Sequence, residues 1–141
     1  MNDDRKSRAR VELIRRFFDA FNRKDIEAQL EPLGEDYEWR PAFTGGGLVE
    51  GSVYRGRDGY RRYWREQAET WAEIQLELDE VRELGECVLV LAHIHAVGRA
   101  SGVEVDQPFA GIWRFDGDRL VAGRAYRTRD EALRAAVESA S

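Results

Sequence analysis

The sequence contains one cysteine, three prolines and no long apolar run. Because a lone cysteine cannot form an internal disulfide, we interpret Cys87 as a small core residue. No segment approaches the ~20 consecutive apolar residues that a membrane helix needs. The polar start of the chain, with Asp3, Asp4 and Arg5, differs from the apolar stretch of a secretory signal. We therefore expect a cytoplasmic protein without a membrane partner.

Lysine is also scarce, since Lys6 and Lys24 are the only two and 20 of the 22 basic residues are arginine. The 27 acidic residues are interspersed with these arginines and give a formal net charge of -5. Nucleic-acid binding domains usually carry a separate basic stripe. We therefore expect no nucleic-acid partner, and we place most arginines on the solvated surface.

The length and the hydrophobic fraction, 141 residues and 43%, are typical of a single globular domain spanning 1–141. Between residues 7 and 21, apolar side chains recur with the i, i+3, i+4, i+7 spacing of an amphipathic helix. Asp25 is a candidate cap for a second, shorter helix. Three consecutive glycines at 45–47 predict a loop, followed by a brief strand over 48–54. A third helix is predicted to begin near Asp58, with Tyr60, Tyr63, Trp64, Ala68 and Trp71 on its buried face.

After Ala72 the apolar pattern changes from a helical period to alternation, which predicts an antiparallel meander. Turn-forming dipeptides separate four predicted strands, at 74–84, 87–99, 103–115 and 119–127. A short helix is predicted over 131–137, after a cap at Thr128 or Asp130. Helices followed by a meander indicate an α+β domain.

One face of the predicted sheet is apolar except for Gln107, Arg124 and Tyr126. This assignment pairs Gly111 with Arg124 and Trp113 with Ala122. Small residues at the centre of that face, Ala92, Gly111 and Ala122, predict a void beneath the helices, of the kind that small-molecule sites use. The predicted wall of this pocket is Trp39, Phe43, Trp64, Gln107, Phe109, Trp113, Arg124 and Tyr126.

Arg124 is the unusual member of this set, because a buried guanidinium needs a partner. Gln107, Tyr126, Glu38 or an anionic ligand oxygen could supply one. Arg124 and Tyr126 are therefore also the candidate catalytic residues. In that hypothesis Arg124 would stabilise an oxyanion, and Tyr126 or a histidine would move a proton.

The opposite face of the sheet is also apolar, with Leu89, Leu91, His93, His95 and Ile112. Because three helices cannot cover two faces, we predict that a second copy of the chain covers this one, giving a homodimer. His93 and His95 point the same way and could ligate a metal together with Asp106. The predicted register places Asp106 opposite Val97, however, so we expect neither a metal nor another cofactor.

The order of elements resembles the NTF2-like superfamily, in particular its SnoaL-like branch. The segments that carry the resemblance are DYEWRP at 36–41, YRGRDG at 54–59, GRASGVEV at 98–105, IWRFDG at 112–117 and DEAL at 130–133. The resemblance implies a cone-shaped domain in which N-terminal helices pack on a strongly curved antiparallel sheet around a pocket, and which is often dimeric. The superfamily includes isomerases, cyclases, dehydratases and binding modules without catalysis, so the fold alone leaves the function open.

The known catalytic residues of this superfamily do not match this sequence. The tyrosine and the two carboxylates of the ketosteroid isomerase branch correspond to Phe17, Arg40 and Gly111. The aspartate of SnoaL-like polyketide cyclases corresponds to Ala125 or Tyr126. We therefore expect the pocket to bind a small hydrophobic or polyketide- or steroid-like molecule. The alternatives are an acid–base isomerase, cyclase or hydrolase that uses Arg124 and Tyr126, and a dimerisation or partner-binding module.

Overall fold

The computed structural model describes residues 2–44, 47–48 and 53–140 of the chain. Along these residues it contains four helices, α1 (Asn2–Arg23), α2 (Ile26–Leu30), α3 (Gly56–Thr70) and α4 (Arg129–Ala140). The long strands are β1 (Leu33–Arg40), β5 (Trp71–Leu84), β6 (Cys87–Gly98), β7 (Glu104–Asp116) and β8 (Arg119–Tyr126), and the two-residue strands are β2 (Phe43–Thr44), β3 (Gly47–Leu48) and β4 (Tyr54–Arg55). Most of the predicted 45–47 loop and 48–54 strand lies outside the described residues. No helix in the described part is both long and apolar enough to cross a membrane.

The helical stripe of α1 is buried as its spacing predicts. Ile14, Phe17, Phe18 and Phe21 are all within the core, because residues at this spacing share one face of a helix. The helix ends where Lys24 adopts a left-handed conformation with φ of 61°. The Asp25 carboxylate then accepts a hydrogen bond from the Ala28 backbone N–H at 3.2 Å and caps α2.

Six strands form one sheet in the order β4-β1-β8-β7-β6-β5. Neighbouring strands are antiparallel except for β1, which runs parallel to β8. The helices α1 and α3 pack against one face, which we call the inner face, and α4 packs against the other, the outer face. The predicted α+β class and the succession of helices and sheet are confirmed.

The hairpin between β6 and β7 has a longer loop than the predicted two residues. The Gly98 N–H donates to the Val103 carbonyl, and the Gly102 N–H donates to the Gly98 carbonyl, each at 2.9 Å. Ala96 therefore lies opposite Val105 rather than Gln107. Because this shift is two residues, each side chain of β6 and β7 stays on its predicted face.

A β-bulge at Val121 makes the predicted register of β8 wrong by one residue. Leu120 pairs with Phe115, but Ala122 pairs with Arg114, so Val121 is the extra residue. Beyond the bulge, Gly123 lies opposite Trp113 and Ala125 opposite Gly111. A one-residue slip exchanges the two faces of a strand, and this bulge brings Gly123 and Ala125 to the inner face.

Arg124 and Tyr126 are consequently on the outer face, contrary to the sequence-based assignment. Arg124 is exposed, and its guanidinium carbon lies 5.1 Å from the centre of the Tyr126 ring. Ala122, which opposes Arg114 at the bulge, is likewise outside the inner face.

The apolar centre of the outer face is covered within this chain by α4. Leu89, Leu91 and Ile112 form a buried cluster with Ala132 and Ala136 of that helix. The prediction of a second subunit depends on helices being unable to cover both faces, but α4 covers these three residues within one chain. Pairing of two chains through this face, including His93 and His95, stays a prediction.

We expect Ala136→Asp to lower the free energy of unfolding by roughly 2–4 kcal/mol, because it places an unpaired carboxylate in an apolar cluster. Ala136 is 2% exposed, whereas the adjacent Val137 is 70% exposed. Val137→Asp is the matched control and should change stability by no more than about 0.5 kcal/mol. Urea unfolding measures both variants, and equal losses would show that α4 does not pack on the sheet as described.

Candidate functional site

A cavity of about 220 Å³ lies between α1, α3 and the inner face of the sheet, and it is partly open to the surface. Its roof is aromatic, with three phenylalanines of α1 and two tyrosines of α3. The roof residues are Phe17, Phe18, Phe21, Tyr60 and Tyr63. The sheet supplies the opposite wall, mainly through Ile94, Ala96, Val105, Gln107, Phe109, Trp113 and Ala125.

Trp113 lines this cavity, and its ring occupies the space above two glycines of the sheet. An alanine Cβ at Gly111 would lie 2.5 Å from Cζ3 of Trp113, and one at Gly123 would lie 2.8 Å from Cδ1. The absence of a side chain at Gly111 therefore does not create the predicted void. It makes room for the indole, which lies against the sheet, and the cavity begins beyond that ring.

The Trp113 side chain is held by a hydrogen bond and by its aromatic neighbours. Its indole N–H donates to the Tyr37 hydroxyl at 3.2 Å, inside the core. The Trp39 ring is stacked on it at 5.5 Å with an interplanar angle of 17°, and Phe18 meets it edge-on at 5.1 Å. These contacts restrain the ring that separates the cavity from the packed core.

Gln29 of α2 joins the three helices on this side of the sheet. Its amide N–H donates to the Phe17 carbonyl of α1 at 3.0 Å. Its Oε1 accepts from the Tyr60 hydroxyl at 3.1 Å and from the Trp64 indole N–H at 2.7 Å, both on α3. Gln29 is fully buried. The sequence signal for its burial is its position three residues after Ile26, on the apolar face of the short helix α2.

Trp64 is therefore not part of the cavity wall, contrary to the prediction from the sequence. Its indole N–H is used by Gln29, and its ring packs against Phe21 with 5.3 Å between ring centres. The buried face of α3 contains Tyr60 and Tyr63, as predicted, and also Gln67. Ala68, which the sequence pattern predicts on that face, is exposed.

Gln67 lies one turn after Tyr63 and brings an amide group to the cavity. Its Oε1 accepts a hydrogen bond from the Trp71 indole N–H at 3.1 Å. Its Nε2 is buried and has no hydrogen-bond partner among the described residues. The Trp39 indole, whose ring meets Tyr63 edge-on, likewise has an N–H without a hydrogen-bond partner in the part of the chain that the structure describes. Sequence reasoning missed Gln67 because a glutamine interrupts an otherwise aromatic pattern.

The titratable groups of the cavity are phenols that stay neutral. Burial raises the pKa of Tyr37, of Tyr60 and of Tyr63 well above the ordinary value of 10.0. Among the lining residues that the structure describes, none has a charged side chain. The polar groups available to an occupant are therefore amides, indole N–H groups and protonated hydroxyls.

Four of the eight residues predicted to line the pocket do so: Trp39, Gln107, Phe109 and Trp113. Trp64 bonds to Gln29 and does not line the cavity. The bulge places Arg124 and Tyr126 on the outer face. The side chain of Phe43 lies outside the described residues. The hypothesis of acid–base chemistry by Arg124 and Tyr126 in this cavity is therefore wrong about their position.

The two histidines lie on the outer face with carboxylate partners. Asp79 occupies a bulge in β5, and its carboxylate lies 2.6 Å from His93 Nδ1 and 2.7 Å from an Arg129 guanidinium nitrogen. Asp106 lies opposite His95, not Val97 as predicted, with 3.3 Å between Oδ2 and Nδ1. No cluster of three ligand residues able to hold a metal is present in the part of the chain that is described.

Comparison with known proteins identifies the family of this domain. The profile of the SnoaL-like domain matches residues 14–123, which is most of the chain. The chain belongs to the SnoaL-like family. The resemblance noted from its sequence motifs is thereby confirmed. A comparison with curated protein sequences finds no match.

Solved structures show the same fold over almost the whole SnoaL-like domain. An NTF2-like protein of unknown function from Burkholderia pseudomallei is 25% identical, with a TM-score of 0.76 over 89% of this chain and 95% of that one. A protein described as a SnoaL-like polyketide cyclase by inference, from Jannaschia sp., is 16% identical, with a TM-score of 0.75 over 95% and 94% of the two chains. TerC, co-crystallised with polyporic acid, is 19% identical, with a TM-score of 0.72 over 92% and 98%.

We expect Gly111→Ala to destabilise the domain by about 1–3 kcal/mol, because the new methyl group collides with an indole ring that Tyr37, Trp39 and Phe18 hold in place. Gly34→Ala is the matched control, since its Cβ would meet nothing closer than the Leu120 carbonyl oxygen at 3.4 Å. Denaturant unfolding compares the two variants. Similar, small effects of both substitutions would contradict the close approach of Trp113 to the sheet.

We also predict that stability falls as the pH rises above about 10. Folding raises the pKa of each buried phenol. The stability that this gives is fully present below the unfolded-state pKa of 10.0 and is lost as the pH increases toward the folded-state pKa. Chemical unfolding at a series of pH values, with phenolate absorbance recorded in parallel, measures this. Phenolate formation by all five tyrosines near their ordinary pKa in the folded protein would contradict it.

Proposed function

We propose that this SnoaL-like domain binds a neutral, mostly apolar molecule of one or two rings in the cavity between helices and sheet. The observation that supports this most strongly is a partly open cavity lined by aromatic and aliphatic side chains, at which only a few polar groups converge. Pockets with this composition are typical of small-molecule sites. The stacked and edge-on rings of Trp39, Trp113 and Phe18 favour a flat ligand.

The volume limits the size of the ligand. A dry cavity of about 150 Å³ accommodates benzene, and drug-sized ligands occupy about 300 Å³ or more. The 220 Å³ cavity lies between these values. It therefore favours one or two rings over the four rings of a steroid, and this narrows the ligand class expected from the sequence.

The electrostatics favour a neutral ligand. The described lining carries no charged side chain, and burial keeps the Tyr60 and Tyr63 phenols protonated. An ionised ligand would lose its hydration without gaining a counter-ion from these residues, which is unfavourable. TerC, which shares the fold, was co-crystallised with polyporic acid, and this supports a small molecule as the occupant.

A thermal-shift and calorimetry panel of naphthalene, tetralin and 1-tetralone, with ionised 1-naphthoate as the charged comparison, tests the proposal. A neutral compound at 100 times its Kd should stabilise the folded state by about 2.7 kcal/mol. For a domain of this size that corresponds to a rise in Tm of several degrees. We expect 1-naphthoate to bind much more weakly than the neutral compounds.

Two substitutions in β8, one at a lining residue and one outside the lining, provide a matched test and control. Ala125→Leu fills part of the cavity and should weaken binding at least tenfold, because Ala125 lines it. Ala122→Leu makes the same change at a residue that does not line it and should leave the Kd unchanged. The absence of binding by every neutral compound, or equal binding by the Ala125→Leu variant, would refute the proposed function.

A further inference from the structure

The side-chain amide of Gln67 has a defined orientation inside the core. The Trp71 indole can only donate a hydrogen bond, so the Gln67 atom that it contacts at 3.1 Å must be the amide oxygen. The NH₂ group of Gln67 is then on the other side of the amide. The two atoms, which are hard to distinguish by shape alone, are assigned here by chemistry.

That NH₂ group is buried and unpaired. Gln67 is 5% exposed, and its Nε2 has no hydrogen-bond partner among the described residues. Buried amide groups in folded proteins are almost always paired, since leaving a donor unmatched loses its hydration without compensation. The other buried glutamine, Gln29, shows the usual state, with both its oxygen and its nitrogen bonded.

The cavity is where a partner for Gln67 can be supplied. Gln67 lines it, and the hydroxyl of Tyr37, another lining residue, already accepts the Trp113 indole N–H. Most of the remaining described lining is aliphatic or aromatic carbon. Because Gln67 lines the cavity, an occupant with an acceptor oxygen beside its side chain would match a donor that the protein itself leaves unpaired.

We infer that the Gln67 NH₂ group recognises a carbonyl oxygen on the ring system of the ligand, so that the ligand is a neutral cyclic ketone rather than a hydrocarbon. This inference rests on the proposed function. A carbonyl oxygen fits better than a hydroxyl group, because it accepts hydrogen bonds without bringing a donor that needs its own partner. Gln67 is then a specificity-determining residue of the cavity.

The test compares the Kd values of 1-tetralone and tetralin, which differ by the carbonyl oxygen, measured by calorimetry. The wild-type protein should bind 1-tetralone at least tenfold more tightly, although tetralin is the more hydrophobic of the two. Gln67→Met keeps a side chain of similar length and removes the donor, so it should abolish or reverse this preference. Gln75→Met, on the exposed side of β5, is the control and should leave both Kd values unchanged.

A second measurement does not depend on the folding of a variant. The C=O stretching frequency of carbonyl-¹³C-labelled 1-tetralone, bound to the wild-type protein, should lie below its value in an alkane solvent, because a hydrogen bond weakens the C=O bond. The alkane frequency in the bound state would overturn the inference.

The outcomes separate the inference from the proposed function. Equal binding of both compounds overturns the role of Gln67 and leaves the proposed function standing. A preference lost in Gln107→Met but kept in Gln67→Met overturns it as well, since the donor would then be Gln107, the other amide of the cavity wall. If neither compound binds, the inference fails, and the remaining compounds of the panel decide the proposed function.

Discussion

The placement of one indole ring determines much of this domain. Trp113 lies against the sheet because β7 and β8 both have glycine beneath it, at Gly111 and Gly123. Its N–H is matched by Tyr37 of β1, so the same side chain links the three strands β7, β8 and β1. The ring also supports Trp39 and Phe18. If the indole stood away from the sheet, it would occupy the space where the cavity now lies.

The two faces of the sheet have different roles, and two bulges establish the difference. The bulge at Val121 brings the small residues Gly123 and Ala125 to the inner face and Arg124 to the outer face of β8. The bulge at Asp79 in β5 presents a carboxylate to His93 and to Arg129, the first residue of α4. Arg129 also donates to the Ala92 carbonyl at 3.1 Å. This cluster attaches the start of α4 to the sheet, and Ala132 and Ala136 complete its packing.

Most of the fold could be predicted from the sequence because its signals are local. The phenylalanines of α1 repeat at the spacing of a helix, and the strands alternate between well-marked turns. The position of Arg124 could not be predicted in this way. A bulge is a pairing of two residues with one, and the pattern of β8 alone does not reveal it. Two glutamines were overlooked for a different reason: at Gln29 and Gln67 a polar residue takes a core position that hydrophobic patterns assign to apolar residues.

The same bulge has an evolutionary consequence. The wall of a cavity is usually altered by exchanging one amino acid for another, but along β8 a change of pairing has a larger effect. If Val121 were paired with Arg114 instead of being accommodated as the extra residue, the following segment would turn over, so that Arg124 would face inward and Ala125 outward. Deletion of Val121 would leave that segment as it is, because its partners on β7 would stay the same. In evolution, a change that removes the bulge but keeps the residue therefore converts a neutral lining into a cationic one without any substitution among the lining residues.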